Sequence, residues 1–169
     1  MAKRYKRKGP RGRGWTPEAL ARREKVIGRN PWGGFNHNNL GCEFARVGYW
    51  APAVLEFEKA VEINPWEALF KANLARAYLA SGNAEKAQKT AEAALAQSPK
   101  LAAAMFALAL IFEGRGRTTS AVHWYRKCLD SDPGLGMRHV AAENLAILLT
   151  EHEQAKIGSK SGSSDTIGG

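Results

Sequence analysis

Residues 65–98, PWEALFKANLARAYLASGNAEKAQKTAEAALAQS, decide the fold. Their first half places apolar side chains such as Leu74 and Tyr78 at helical spacing. Gly82 then predicts a turn, because glycine tolerates the left-handed conformation that ends many helices. A second helix is predicted over Ala84–Gln97, and the proline that follows prevents it from continuing. The stretch therefore predicts two helices joined by a tight turn.

The same pattern recurs every 34 residues on both sides of this stretch. The positions that recur are a boundary proline, a turn glycine, several small residues, a leucine and an aromatic residue. In chain order within each class they are Pro31, Pro65, Pro99 and Pro133; Gly48, Gly82 and Gly116; Gly41, Ala75 and Ala109; Ala53, Ala87 and Ala121; Leu40, Leu74 and Leu108; Phe44, Tyr78 and Phe112; and Ala60, Ala94 and Cys128. One period shared by so many positions predicts three stacked helix pairs, at residues 31–64, 65–98 and 99–132.

This period, the helix–turn–helix unit and the order of its small, aromatic, glycine and proline positions resemble the tetratricopeptide-repeat family over about residues 31–133. The resemblance implies an all-α fold, a right-handed superhelical solenoid of antiparallel helix pairs. It also implies a scaffold that binds other macromolecules. The second repeat departs from its neighbours, since it holds Ala91 where they hold Phe57 and Tyr125.

The segments outside the repeats have predicted roles of their own. Residues 15–30 are expected to form a lead helix or linker, because Thr-Pro-Glu near their start is a helix-initiating pattern. Residues 134–157 are expected to form a capping helix that covers the last repeat. The residues predicted to face the stack are Val140, Ala141, Leu145, Leu148 and Leu149. Residues 158–169 are rich in glycine and serine and are expected to be a flexible tail.

Positive charge is concentrated at the N-terminus. Residues 1–29 hold 11 Lys/Arg and two acidic residues, and the rest of the chain is formally neutral. Residues 1–14 are predicted to be a basic flexible arm that anchors to a polyanion, with RNA, a ribonucleoprotein or DNA as the favoured partner. Its basic residues are Lys3, Arg4, Lys6, Arg7, Lys8, Arg11 and Arg13. An acidic protein, an anionic membrane surface, or no specific partner remain alternatives.

The resemblance implies a partner groove on the concave surface, lined by the first helix of each repeat. The positions of this sequence that match groove positions of the family are Phe35, Asn38, Asn39, Arg46, Leu69, Asn73, Arg76, Phe106 and Leu110. The apolar members of this set are expected to be more exposed than the leucines in the core register, and to suit an apolar helix face or peptide. A clamp for a C-terminal carboxylate is not favoured, because the third repeat holds Ala103 and Ala107 where such clamps hold cations. Occupation by a segment of the chain itself remains an alternative.

No catalytic, metal or cofactor constellation is found in the sequence. His152 and Glu153 begin an HExxH pattern, but Lys156 replaces the second histidine. Cys42 and Cys128 are not in metal-ligand spacing and are expected to be free thiols. No apolar run reaches the length of a membrane span, and the N-terminus lacks a signal-peptide pattern, so we expect a cytoplasmic protein.

Two functions therefore remain open from the sequence. The first is a non-enzymatic adaptor whose groove binds a helix or peptide of a partner protein while the arm anchors to a polyanion. The second is a protein-only assembly factor or complex subunit whose arm docks on an acidic partner or an anionic membrane surface. The oligomeric state is not predicted.

Overall fold

The computed structural model describes residues 33–161, with the side chains of residues 33–154. This part of the chain contains helices and no strands. The seven helices are α1 (Gly33–Arg46), α2 (Trp50–Ile63), α3 (Ala68–Ala80), α4 (Ala84–Gln97), α5 (Ala102–Gly114), α6 (Thr118–Asp130) and α7 (Leu135–Ser161). The predicted fold class is confirmed. The predicted basic arm, the lead helix over residues 15–30 and the tail beyond residue 161 lie outside the described residues.

Each helix pair is joined by the same glycine turn. Gly48, Gly82 and Gly116 have φ angles of 82°, 92° and 70°, which residues that carry a Cβ rarely adopt. In every turn the N–H of the residue after the glycine donates to the carbonyl five positions earlier, at 2.8 to 2.9 Å. This arrangement satisfies carbonyl groups that the end of a helix leaves without an intrahelical donor. The turn places the second helix of each pair directly against the first.

Small residues set the distance between the two helices of a pair. A Cβ added at Gly41 on α1 would lie 2.8 Å from ring atoms of Phe57 on α2. Phe57 is 2% exposed and packs in the core of the first repeat, so a Cβ at this position would force a buried ring to shift. In the second repeat, where Ala91 replaces the large side chain, Leu108 and Ile111 of the next repeat pack into the same cluster.

The helices form an inner and an outer layer. The first helices of successive pairs contact one another, α1 with α3 and α3 with α5. Within the described part of the chain, no contact joins α2 to α4 or α4 to α6. Because the first helices lie closer together than the second, the stack curves around them, and α1, α3 and α5 line its concave side.

Helix α7 packs against α6 and, more weakly, against α5. Ala141 and Leu148 are buried in this contact, as predicted. The prediction that Val140 and Leu149 also face the stack is wrong, since they are 41% and 36% exposed. Val140 is next to the buried Ala141 in the sequence, and Leu149 is next to the buried Leu148. Neighbouring side chains on a helix point about 100° apart around its axis, so these two point away from the contact.

The helix is also longer than predicted. It continues to Ser161 and so includes the first four residues of the expected tail. Extending an existing helix adds a hydrogen bond for each residue fixed, so a single glycine at position 158 does not have to end it. Along the described helices, none combines the length and the apolar character needed to cross a membrane.

The close approach of α1 and α2 can be tested by adding one methyl group. Gly41→Ala should lower the free energy of unfolding by about 1–3 kcal/mol, because the new Cβ overlaps the ring of Phe57 and forces that buried side chain to shift. Gly114→Ala is the matched control, since no atom lies within 4 Å of the added Cβ at this helical position. It should leave stability unchanged or raise it by up to about 1 kcal/mol. Urea denaturation followed by circular dichroism measures both, and equal effects would contradict the packing described.

Candidate partner-binding groove

The concave face presents two exposed apolar side chains near the N-terminal ends of its helices. Phe35 on α1 is 44% exposed and Leu69 on α3 is 41% exposed. Phe35 is held in place by an edge-on contact with the buried Phe70, with ring centroids 5.0 Å apart. The core-register residues Leu40 and Leu74 are both nearly inaccessible. Phe35 and Leu69 are therefore surface residues on this face and not part of the core.

The third repeat contributes less to this surface than predicted. Phe106 is only 6% exposed, so its placement as an exposed groove residue is wrong. Its ring packs edge-on against Tyr125 of α6 at 5.9 Å, and the guanidinium of Arg76 lies 6.0 Å from its centroid. Contacts from both neighbouring helices thus cover it. Leu110 is half-buried.

Asn38 is also less available than predicted. It is 7% exposed, and its Oδ1 accepts a hydrogen bond from Nδ2 of Asn73 at 2.9 Å. This bond joins α1 to α3 and satisfies an amide that would otherwise be costly to bury. Asn73 itself is half-buried, and Asn39 is exposed on α1. Asn38 and Asn73 therefore link the two repeats, and Asn73 and Asn39 remain accessible to a partner.

A pocket of about 290 Å³ opens between the first two repeats. The lining residues are Cys42, Ala45, Arg46, Trp50, Phe57, Asn73 and Arg76. Two arginines predicted separately for the groove are thus brought together in one cavity. Sequence reasoning missed Trp50 and Phe57, because both belong to α2, the second helix of its pair. The groove positions were assigned only to the first helix of each repeat, so the sequence did not indicate that α2 reaches this surface.

The thiol in this pocket is not activated. Burial raises the pKa of Cys42 above its ordinary value, and the opposing effect of the nearby Arg76 is smaller. A raised pKa keeps the thiol protonated near neutral pH, whereas a nucleophilic cysteine requires the thiolate. Both cysteines are free, as predicted, and burial raises the pKa of Cys128 on α6 to about 11.

Two carboxylates near the face form contacts within the protein. Glu56 is 3% exposed and is paired with His37 Nδ1 at 2.6 Å and Lys59 Nζ at 2.9 Å, which joins α1 to α2. Glu113 on α5 accepts a hydrogen bond from the Tyr125 hydroxyl at 2.5 Å. Across residues 33–154, no three or more His, Cys, Asp or Glu side chains cluster in a way that could hold a metal ion.

Comparison with known proteins agrees with this architecture. Residues 72–135 match the family model described as the tetratricopeptide repeat. No curated protein sequence matches the chain significantly. Among solved structures, the tetratricopeptide-repeat domain of Sgt2 from Aspergillus fumigatus is 25% identical, with a TM-score of 0.66 and 89% of each chain covered.

Two structures of RPAP3 domains are more distant in sequence. The first tetratricopeptide-repeat domain of human RPAP3 is 19% identical, with a TM-score of 0.63, and the match covers 79% of this chain and 99% of that domain. The corresponding domain of Spaghetti (RPAP3), bound to the HSP90 peptide SRMEEVD, is 15% identical, with a TM-score of 0.62 and coverage of 73% and 96%. Repeat period, helix packing and structural likeness agree, and the helical body of this chain is therefore a tetratricopeptide-repeat solenoid.

Proposed function

We propose that this protein is a non-catalytic scaffold whose concave groove binds a peptide or helix of a partner protein. The exposure of Phe35 and Leu69 on the concave face carries the proposal. Large apolar side chains left exposed on a concave surface are typical of interaction sites. They lie on rigid helices, so the free groove is already shaped to accept a partner.

The polar groups of the groove favour a polypeptide partner. Asn73 uses its amide N–H to hold Asn38, and its carbonyl oxygen is left to accept a hydrogen bond. Asn39 is exposed on the neighbouring helix and can both donate and accept. Such groups match the N–H and C=O groups of a peptide backbone.

The fold likeness supports the same reading. The Spaghetti domain was solved with a peptide bound to it. This chain resembles that domain in fold at low identity, so the likeness supports a peptide site without specifying the peptide. Ala103 and Ala107 on α5 are both buried and uncharged, so this groove lacks the cations that a C-terminal carboxylate clamp would need at these positions.

A scaffold also agrees with the state of the side chains whose chemistry resembles that of catalytic groups. Burial raises the pKa of the Cys42 thiol, which disfavours the nucleophilic thiolate. The His37–Glu56 pair is enclosed between α1 and α2, where it links the helices. Neither arrangement combines a nucleophile with a base at an open surface, which nucleophilic catalysis requires.

The N-terminal arm supplies a second, electrostatic attachment in this proposal. Half of the first 14 residues are Lys or Arg and none is acidic. Such a segment is attracted to polyanions, and RNA or a ribonucleoprotein is the favoured partner because Arg recognises phosphate in a bidentate manner. An acidic surface of a partner protein is the second candidate, and it would make the protein a subunit of a protein-only assembly.

The groove can be tested with one substitution. Twelve-residue peptides selected from a random display library on the full-length protein serve as probes. Leu69→Asp should weaken their binding at least about tenfold, because it places a charge where an apolar side chain has to dock. Fluorescence anisotropy measures the dissociation constant, and thermal denaturation measures stability.

Leu55→Asp is the matched control for this test. Leu55 is 58% exposed and lies on α2, away from the concave layer, so the same chemical change should leave peptide binding intact. Both variants should retain near wild-type stability, since surface substitutions usually change the free energy of unfolding by less than about 0.5 kcal/mol. A loss of stability with Leu69→Asp as large as that of Leu74→Ala would show that Leu69 belongs to the core.

The arm can be tested by its salt dependence. Binding of a fluorescent single-stranded 20-nucleotide RNA should follow a log–log salt slope of roughly −3 to −5, because each neutralised phosphate releases about 0.7 to 0.9 of a counterion. Deletion of residues 2–14 should remove most of this binding and leave peptide binding in the groove unchanged.

A control for chain length replaces the seven Lys/Arg residues of the arm with Gln. It should behave like the deletion, because the effect comes from charge. The nucleic-acid proposal is falsified if full-length and deleted proteins bind the RNA equally at low salt. Binding of poly-L-glutamate that depends on the arm, without binding of RNA, would identify the acidic-protein alternative instead.

A further inference from the structure

We infer that the segment bound in the groove carries an internal Asp or Glu side chain, which enters the pocket between Arg46 and Arg76. This inference rests on the proposed function, since it specifies the partner of the same groove. It adds a charge requirement to a site that is otherwise defined by apolar contacts.

The two arginines are available for such a group. Arg46 is exposed and Arg76 is half-buried, and both line the pocket between α1 and α3. Among the described side chains, ion pairs to carboxylates are made by His37, Lys59 and Arg138 and not by these arginines. Two like charges in one cavity repel each other, and a carboxylate placed between them offsets that repulsion by attracting both.

Arg76 is oriented by a contact with Phe106. Its guanidinium lies over the ring of Phe106, with Cζ 6.0 Å from the centroid, which is within the range of a cation–π contact. A guanidinium that is positioned in advance loses less side-chain entropy when it forms a bidentate contact with a carboxylate. The burial of Phe106 therefore has a consequence for the groove, because this ring supports the arginine.

The rest of the pocket fits the stem of an acidic side chain. Trp50 and Phe57 contribute apolar walls that suit methylene groups, and Asn73 adds an amide near the two cations. A cavity of about 290 Å³ is large enough to enclose a single Asp or Glu side chain. Its lining thus combines an apolar wall with positive charge.

The apolar residues and the arginines lie toward opposite ends of helices α1 and α3. Leu69 and Arg76 are seven positions apart on α3, or about 10 Å along the helix axis, and Phe35 and Arg46 are about 16 Å apart on α1. An extended peptide spans these distances in about three to five residues. The bound segment should therefore carry apolar side chains on one side of its acidic residue, with the chain continuing past the pocket.

Charge also decides between possible occupants. The chain's own N-terminal segment has 11 Lys/Arg against two acidic residues in positions 1–29, so the two arginines would repel it. On α5, Glu113 is engaged with Tyr125 and would repel an acidic ligand at the other end of the groove. Both considerations favour an acidic segment of another protein, placed at the first two repeats.

Peptide selection on variants of the full-length protein tests this inference. The probe is the random 12-residue library, displayed with the C-terminus of each peptide fused so that only internal carboxylates are sampled. Wild-type protein should enrich peptides that combine Asp or Glu with apolar residues three to five positions away. The double variant Arg46→Gln/Arg76→Gln should still enrich apolar peptides but without the acidic residue.

The double variant Lys89→Gln/Arg126→Gln is the matched control. It removes the same charge from exposed positions on the outer helices α4 and α6, and it should select the wild-type consensus. With the consensus peptide, replacing its Glu by Gln should weaken binding to wild type about tenfold, the size expected of a hydrogen-bonded charge pair. The same replacement should have no effect on binding to Arg46→Gln/Arg76→Gln.

The outcomes separate this inference from the proposed function. If wild type and Arg46→Gln/Arg76→Gln select the same apolar peptides without an acidic residue, and Leu69→Asp selects none, the groove binds peptides but the acidic requirement is wrong. If Leu69→Asp selects the same peptides as wild type, the groove is not the binding site, and the proposed function fails together with the inference.

Discussion

The structure depends on how closely the two helices of each repeat approach. At Gly41 the ring of Phe57 occupies the space that a side chain would fill, so the backbone of α1 comes within contact distance of α2. The glycine turns make this possible by reversing the chain over very few residues. Once the pairs are this tight, their first helices contact one another while the second helices do not, and a concave face follows from the packing alone.

On that face, some polar side chains hold the solenoid together and others are left for a partner. The Asn73–Asn38 hydrogen bond spans two repeats, and the same Asn73 lines the pocket that holds two arginines. Arg76 likewise lies over a buried ring and also lines the pocket. Residues that stabilise the stack thus fix the position of the groups offered to a ligand, and the groove needs no separate ordering step before binding.

Features encoded by local sequence could be predicted, and features set by neighbouring repeats could not. The helix α4 over Ala84–Gln97 and the turn at Gly82 follow from spacing and glycine chemistry, and both were found as predicted. The burial of Phe106 could not be anticipated, because it depends on Tyr125 of the next helix and on Arg76 of the previous repeat. Repeat equivalence treats corresponding positions alike, whereas their actual exposure depends on which side chains surround them.

The central claim is that peptide ligands bind to the concave face formed by α1, α3 and α5. A titration of ¹⁵N-labelled full-length protein with a selected peptide, followed by two-dimensional NMR, locates the binding site directly. The account predicts that the largest chemical-shift changes occur at Leu69, Asn73 and Arg76, with small changes at Leu55 and Lys89 on the outer helices. Changes confined to α2, α4 and α6 would contradict it, because they would place the binding surface on the opposite side of the solenoid.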